Sequence, residues 1–410
     1  MAETHISFIH AADLHLDSPF KGLGEAPNSV LQDVRESTFK ALQNLVIAAI
    51  EHEVDFVLIS GDVFDQDHQS LKAQVRLRTA FETLEKHGIN VYMLYGNHDY
   101  TSGNKYPVTY PENVYIFPDE EVRSIVFHKK GIPLAAIYGF SYEHRSVTEN
   151  KTGSYYKEDP SIPYHIAMLH GSLASNTEHD VYAPFQLKDM MEVEMDYWAL
   201  GHIHKREILH TDPAIVYPGN TQGRSRKETG EKGCYYVKMT PNDVNLTFMP
   251  LNTVTFREVH VATGECDTIF HLEEAISSAL TDRIDHTHQL IYLSLSSTNR
   301  LLDTWEQDGR LSECMELINE KMTSDSPWQY IYQYRLTTHI SYEDLYQGSH
   351  FAGELLRELD EAPVQSYLDD LYRHRHARKY LKPINSETEQ ALKEKAKQWL
   401  VQALFSEGRQ

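Results

Sequence analysis

Short apolar runs alternate along the first half of the chain with longer stretches in which apolar residues recur every three to four positions. Ile6–Ala11 is an apolar run of strand length that leads into Asp13-Leu14-His15. Between Val30 and His52, the residues Phe39, Leu42, Leu45, Val46, Ala49 and Ile50 have helical spacing. Asp55–Ser60 reads as a buried strand, Gln69–His87 as a second helix stopped by Gly88, and Val91–Tyr95 as the next strand. Two β-α-β units in succession predict right-handed crossovers and a largely parallel sheet covered by helices.

Further strands are expected at Val122–Phe127, Leu134–Phe140, His165–Leu169, Tyr197–Leu200 and Ala214–Tyr217. A closing hairpin, Cys234–Met239 with Leu246–Leu251, turns around Pro241-Asn242-Asp243. Beyond it the pattern changes. Phe256–Val261, Leu290–Ser296 and Tyr330–Thr338 read as strands, with helices at Leu272–Leu280 and Ser312–Met322. From Ser349 the chain reads as helical, and Ser386-Glu387-Thr388-Glu389 matches a capping box that opens a helix to about Phe405. The expected fold is therefore α/β: a β-sandwich flanked by helices over residues 1–255, a small α/β module over 256–345, and a helical region over 346–410.

Composition narrows the class. The chain has 410 residues, of which 41% are hydrophobic and 24% charged, as in soluble globular proteins. No run of 18 or more apolar residues is present, so no membrane-spanning helix is expected. The amino terminus lacks a basic segment followed by a long apolar stretch, so no signal peptide is expected. Cys234, Cys266 and Cys314 are odd in number and widely spaced, which fits a reducing cytoplasm and neither a disulfide framework nor a thiolate zinc site. The net charge of −22 argues against a protein that coats DNA, although a local basic patch could still present DNA to metal ions.

Six short signatures stand at the ends of the expected strands. They are Asp13-x-His15, Gly61-Asp62-Val63-Phe64-Asp65, Gly96-Asn97-His98-Asp99, His170-Gly171, Gly201-His202-Ile203-His204 and Pro218-Gly219-Asn220. Ligands of open α/β sheets bind beyond the carboxyl ends of the strands, so the six are expected to converge on one edge. Carboxylate and amide oxygens mixed with imidazole nitrogens favour Mn, Fe or Zn over Mg or Ca. A carboxylate can bridge two ions. Two ions about 3.5–4 Å apart can clamp a phosphoryl oxygen and activate water. Singly, the signatures also read as a capped turn, a tight turn or a strand end with exposed histidines. Their order and placement together point to a dinuclear metal site and to phosphate ester hydrolysis.

In this order, D-x-H, G-D-x-x-D, G-N-H-D, H-G and G-H-x-H resemble the calcineurin-like metallophosphoesterase superfamily over residues 5 to about 250. The opening HAADLHLDSPF and the block GDVFD resemble, more narrowly, the SbcD-type DNA repair exonucleases and among them the YhaO-type proteins. The resemblance implies a site residue by residue. One metal would be held by Asp13, His15, Asp62 and His204, and the other by Asp62, Asn97, His170 and His202, with Asp62 bridging. His98 would face the scissile phosphate as a catalytic group, and Asp99 would orient it. Two divalent ions, Mn²⁺ foremost, are the implied cofactors. The implied activity is that of a DNA exonuclease or endonuclease in DNA repair, dimeric and partnered by an SMC-like (SbcC-type) ATPase. In that branch the small module caps the active site and guides DNA. Asp65 departs from the branch, some of whose nucleases place there a histidine that helps rotate DNA into the site.

A phosphodiesterase of nucleotides or other small phosphate esters would share every metal ligand. The length beyond residue 255 favours a macromolecular substrate, and the acidity favours a small one. A non-catalytic scaffold has no need of a complete ligand set. Arg224, Arg226 and Lys227 follow the Pro-Gly-Asn turn and read either as phosphate-positioning residues or as a mobile surface loop. Arg373, Arg375, Arg378, Lys379 and Lys382 read as a solvated helix face or as a contact for DNA or the ATPase. Leu392, Ala396, Trp399 and Ala403 form one stripe on the last helix, for packing within the chain or for a partner. Aromatic residues can stack on bases, but the alternating Tyr330, Tyr332 and Tyr334 read more simply as one face of a strand.

Overall fold

The computed structural model describes residues 5–65, 69–103, 108–175, 182–281, 286–297, 301–338, 351–364, 367–368 and 386–406. The basic residues between 373 and 382 lie outside this set. The chain divides into two compact units. The first comprises Met1–Val261, Glu273–Ser294 and Ser312–Arg335; the second comprises Ala262–Leu272, Leu295–Leu311 and Leu336–Gln410.

In chain order the first half runs β1 (Ile6–Ala11), α1 (Asn28–Glu51), β2 (Phe56–Ser60), α2 (Leu71–Lys86), β3 (Asn90–Leu94), β4 (Val114–Ile116), β5 (Arg123–Lys129), β6 (Ile132–Gly139), β7 (Tyr164–His170), α3 (Leu187–Glu192) and β8 (Tyr197–Gly201). It continues with β9 (Glu207–Thr211), β10 (Ala214–Tyr217), β11 (Gly233–Thr240) and β12 (Asp243–Pro250). Two six-stranded sheets result, ordered β12-β11-β1-β2-β3-β4 and β5-β6-β7-β8-β10-β9. The β-α-β units make β1, β2 and β3 parallel, as expected, and β4 adds a further parallel strand beside β3. The β11–β12 hairpin then adds antiparallel strands beside β1, so the first sheet is mixed. In the second sheet β6, β7, β8 and β10 are parallel, and β5 and β9 close its edges antiparallel.

Alternation along the strands sorts the side chains into three apolar layers. Phe8, Phe56, Leu58 and Tyr92 of the first sheet meet Ile137, Ile166, Met168 and Tyr197 of the second. Phe8 stacks on Phe56 at 5.1 Å and meets the edge of Tyr197 at 5.3 Å. The other face of the first sheet (Ile9, Val57, Ile59, Val91) lies against Phe39, Leu42 and Leu45 of α1 and Leu77 and Phe81 of α2. The other face of the second sheet buries Tyr138, Leu169, Trp198 and Tyr217 with Met190 of α3. One polar group is built into the middle layer. The Nδ1 of His10 accepts from the Tyr197 hydroxyl at 2.9 Å, and its Nε2–H donates to the Leu200 carbonyl at 3.0 Å. Burial lowers this imidazole to about 3, so it is neutral and spends both nitrogens on holding β1 to β8.

The sheets come closest where the site is built. A Cβ at Gly201, the last residue of β8, would lie 1.9 Å from the Ser60 carbonyl oxygen at the end of β2. A backbone oxygen cannot rotate away. Gly201→Ala is therefore expected to destabilise the chain by about 3 kcal/mol, at the upper end of overpacking effects. Urea unfolding of the two proteins would check it, and an unchanged midpoint would contradict the close approach.

The later chain forms β13 (Val254–Ala262), α4 (Ile269–Thr281), β14 (His288–Ser297), α5 (Leu301–Gln307), α6 (Arg310–Thr323) and β15 (Gln329–Thr338), with the strands in a separate sheet ordered β13-β14-β15. Two helices follow, α7 (Phe351–Glu361) and α8 (Ser386–Ser406). They are tied by Lys397, whose ammonium lies 2.6 Å from the Asp360 carboxylate. Leu392 and Trp399 on the α8 stripe are exposed, so packing within the chain does not consume them. No helix among the described residues is long and apolar enough to cross a membrane.

Candidate metal centre

Five neighbouring strands end at one place. Asp13 and His15 follow β1, Asp62 and Asp65 follow β2, Asn97, His98 and Asp99 follow β3, His170 ends β7, and His202 and His204 follow β8. Because these strands are parallel within each sheet, their carboxyl ends coincide. The backbone bends sharply there. Asp13 (φ 52°), His15 (φ 43°), Asp62 (φ 49°) and His202 (φ 96°) all occupy the left-handed region. That conformation costs about 1–3 kcal/mol per non-glycine residue and is found mainly where function demands it.

The side chains gather into two clusters that meet at Asp62. In the first, the Nε2 atoms of His15 and His204 are 3.1 Å apart. His15 Nε2 lies 3.8 Å from Asp62 Oδ2, and His204 Nε2 lies 3.9 Å from Asp13 Oδ1. In the second, the Asn97 amide oxygen lies 3.0 Å from His170 Nε2 and 3.2 Å from His202 Nδ1, and His170 Nε2 lies 3.4 Å from Asp62 Oδ1. Ligands about 2.1 Å from one cation stand about 3.0–3.4 Å from each other, and most of these spacings are of that size. Asp62 thus turns one oxygen to each cluster. Gly96 leaves room for this, since a Cβ there would fall 2.4 Å from Asp62 Oδ1 and 2.7 Å from His170 Nε2.

Neighbouring groups fix which nitrogen faces inward. The Nδ1–H of His170 donates to the Ser60 carbonyl at 3.0 Å, leaving the Nε2 lone pair for the cluster. His204 does the same through Glu228, whose Oε1 lies 2.7 Å from its Nδ1. Glu228 is held in turn by the Arg224 N–H at 2.6 Å and the Asn220 amide at 3.0 Å. Burial alone would raise the Glu228 carboxyl, but His204 and Arg224 carry it down to about 2. Sequence reasoning missed Glu228, a lone acid in an irregular loop that no motif marks.

A family model described as calcineurin-like phosphoesterase matches residues 6–206, the segment that carries all seven side chains of the two clusters. A metallophosphoesterase of Bacillus subtilis, YhaO, is 37% identical over 398 residues, covering 96% of each chain. The chain belongs to the calcineurin-like phosphoesterases. Two more distant relatives are DNA double-strand break repair proteins named Mre11. That of Methanocaldococcus jannaschii is 26% identical over 61% of this chain and 67% of its own. That of Sulfurisphaera tokodaii is 26% identical over 52% of each.

As a member of this family the chain is a hydrolase of phosphate esters, and its donor set fits divalent cations. Asp13, Asp62 and Asp99 are each 1% exposed, and among the described residues none of them pairs with a Lys or Arg. Three buried carboxylates so close together are costly unless cations neutralise them. The mixture of carboxylate, amide and imidazole donors suits borderline metals.

One expectation changes. Asp99 was expected to orient His98, but its carboxylate instead accepts the backbone N–H groups of Val63 (2.7 Å), Phe64 (3.3 Å) and Gly96 (2.7 Å). It braces the β2 and β3 loops against each other. His98 is oriented by the Asp65 carbonyl, which accepts from its Nδ1–H at 2.8 Å, and the His98 N–H donates to Asp62 Oδ1 at 3.0 Å. The Asp65 carboxylate pairs with the Arg224 guanidinium and lies 3.3 Å from His15 Nδ1. Arg224 therefore sits beside the first cluster, with the Ser18 hydroxyl at 3.2 Å. Arg226 instead points along a groove floored by the third sheet, over the ring of Tyr292.

Proposed function

We propose that the chain is a two-metal phosphodiesterase that cleaves DNA, and that the position of Asp62 between the two clusters carries this reading. On it, Asp13, His15, Asp62 and His204 hold one divalent cation and Asp62, Asn97, His170 and His202 the other, with Mn²⁺ the metal in the cell. When bound, such a pair supplies Lewis acidity to the phosphoryl group and makes water a nucleophile at neutral pH. The chain's own residues do the rest. Ser60 and Glu228 hold the imidazoles in the ligating tautomer. Arg224, with Asp65 as its counter-ion, positions substrate phosphate. His98, with Nδ1 committed to the Asp65 carbonyl, has Nε2 left for a proton to the leaving oxygen.

DNA as substrate is supported by the similarity to the two Mre11 proteins. The same reading makes the molecule a cytoplasmic homodimer that works with an SMC-like ATPase. It keeps a catalytic domain over 1–255, a capping domain over 256–345 and a helical region over 346–410. The test is hydrolysis by the purified chain with Mn²⁺ of linear duplex DNA, single-stranded DNA and bis-p-nitrophenyl phosphate. Metal-dependent DNA cleavage is the expected result. Turnover of the small diester with DNA left intact, in the presence of the ATPase as well, would favour an enzyme of small phosphate esters.

The metal occupancy has a pH signature. Burial alone would lower the His170 imidazole, but Asp62 carries it up to about 9 in the metal-free protein. A cation must displace that proton to bind Nε2. Below pH 9 the affinity of the apoprotein for Mn²⁺ is therefore expected to rise with pH, by about tenfold per unit for one displaced proton. Titration calorimetry in buffers of different ionisation enthalpy between pH 6.5 and 8 would count the protons. A pH-independent affinity with none released would contradict the assignment of His170.

A further inference from the structure

The loop that closes the metal centre also forms one wall of a second site. Arg224 and Glu228 face the first cluster. Arg226, Lys227 and Thr229, interleaved with them, line a groove of about 230 Å³ whose other walls are Phe256, Arg257 and Glu258 of β13, Tyr292 of β14, and Tyr332 and Arg335 of β15. The loop is fixed to the third sheet by the Gly230 N–H, which donates to the Phe256 carbonyl at 3.2 Å.

Three observations mark this groove as a ligand site. The first is charge. Arg226, Lys227 and Arg335 are exposed, and none forms an ion pair among the described residues. Arg257 is committed to Gln289 and the Ala279 carbonyl, and Glu258 is the groove's single carboxylate, 3.5 Å from His260. A chain of net charge −22 here lines one groove with three cations that form no ion pair among the described residues, against a single carboxylate. The second is an aromatic floor in open contact with a cation. The Arg226 guanidinium lies 5.3 Å from the Tyr292 centroid, against 3.6 Å for the closed stack of Arg206 on Phe248. The third is an unsatisfied polar atom, since the buried hydroxyl of Tyr332 has no hydrogen-bond partner. A buried hydroxyl without a partner costs about 1–3 kcal/mol, which a ligand acceptor would recover.

We infer that this groove is a subsite for one nucleotide of a single strand, with its phosphate held by Arg226, Lys227 and Arg335 and its base packed on Tyr292 and Tyr332. Stacking needs an unpaired base, so the aromatic floor selects single strands or frayed ends, whereas phosphate contacts alone would serve a duplex equally. The inference rests on the nuclease reading and names the part of the substrate that the site grips.

The test is equilibrium binding of fluorescein-labelled (dT)12 and of a 12-base-pair duplex to the full chain in EDTA, so that no cleavage intervenes. The wild type is expected to prefer the single strand. Tyr292→Ala is expected to weaken (dT)12 binding by about 5- to 100-fold, the range of one base stack, with Tyr292→Phe near wild type. Arg335→Glu, at an exposed position, is expected to weaken it with a shallower salt dependence, and an unchanged melting temperature shows that each variant is folded. No binding of (dT)12 by the wild type, or equal binding by folded Tyr292→Ala and Arg335→Glu, overturns the subsite. Loss of single-strand binding in these variants, in a protein that cleaves no DNA with Mn²⁺, would retain the subsite and remove the nuclease reading. DNA cleavage with unchanged binding would do the reverse.

Discussion

Asp62→Ala is expected to abolish hydrolysis and to empty both cation positions together. The two Asp62 oxygens face different clusters, Oδ2 at 3.8 Å from His15 Nε2 and Oδ1 at 3.4 Å from His170 Nε2. Removing any other ligand leaves one cluster whole, whereas removing Asp62 takes a donor and a negative charge from both. The rate should fall by about 10⁴-fold or more, because a site whose groups act as a unit loses nearly everything with its central member. Bound Mn²⁺ per chain, measured by elemental analysis after dialysis, should fall from two to well under one. Folding should survive, since the substitution removes one of three crowded, buried carboxylates, and relieving such a charge is rarely destabilising. Asp62→Asn separates the contributions. It keeps an oxygen for the His98 N–H but loses the charge, and it should retain more metal than the alanine variant while remaining strongly impaired. Two bound ions and wild-type turnover in Asp62→Ala would sink the bridging assignment.

Much of this site was legible before the fold was known, for a physical reason. Each signature is local, a strand end followed by donors within three residues, and buried strands such as Ile6–Ala11 and Ala214–Tyr217 announce themselves by unbroken apolar runs. The elements that were not read lack that contrast. β4 is three residues of partly buried edge strand, β9 is an edge strand with mostly exposed side chains, and α5 spans only seven residues. Contacts between distant segments were harder still. Nothing near Glu228 in sequence announces that it hydrogen-bonds His204, because the pairing depends on a loop packed through Asn220 and Arg224. Asp99 was misread for a related reason. A carboxylate beside a histidine suggests a dyad, but the tight turn after β3 points it at the backbone of Val63 and Phe64.

His98→Ala should leave two Mn²⁺ bound and still lose most of the DNA hydrolysis. The imidazole lies outside the Asp13–His15–His204 and Asp62–His170–His202 groups, standing instead beside His15 and Asp65, and the hydrogen bond from the His98 backbone N–H to Asp62 Oδ1 survives truncation. With Nδ1–H donated to the Asp65 carbonyl, Nε2 is the atom able to carry a proton toward the substrate. Losing a positioned acid costs about 10²–10⁴-fold in rate. The choice of substrate then divides the two roles open to His98. The sugar oxygen that leaves DNA is strongly basic and needs a proton as it departs, whereas p-nitrophenolate leaves without one. A general acid predicts a large loss on DNA and a small loss on bis-p-nitrophenyl phosphate. A cation that only stabilises the charged transition state predicts similar losses on both. The Asp65 carbonyl fixes the ring with Nε2 outward in either role, so the comparison of substrates decides between them. Full DNA cleavage by a metal-loaded His98→Ala protein would refute either role. Equal losses on the two substrates would leave His98 as an electrostatic group and assign the leaving-group proton elsewhere.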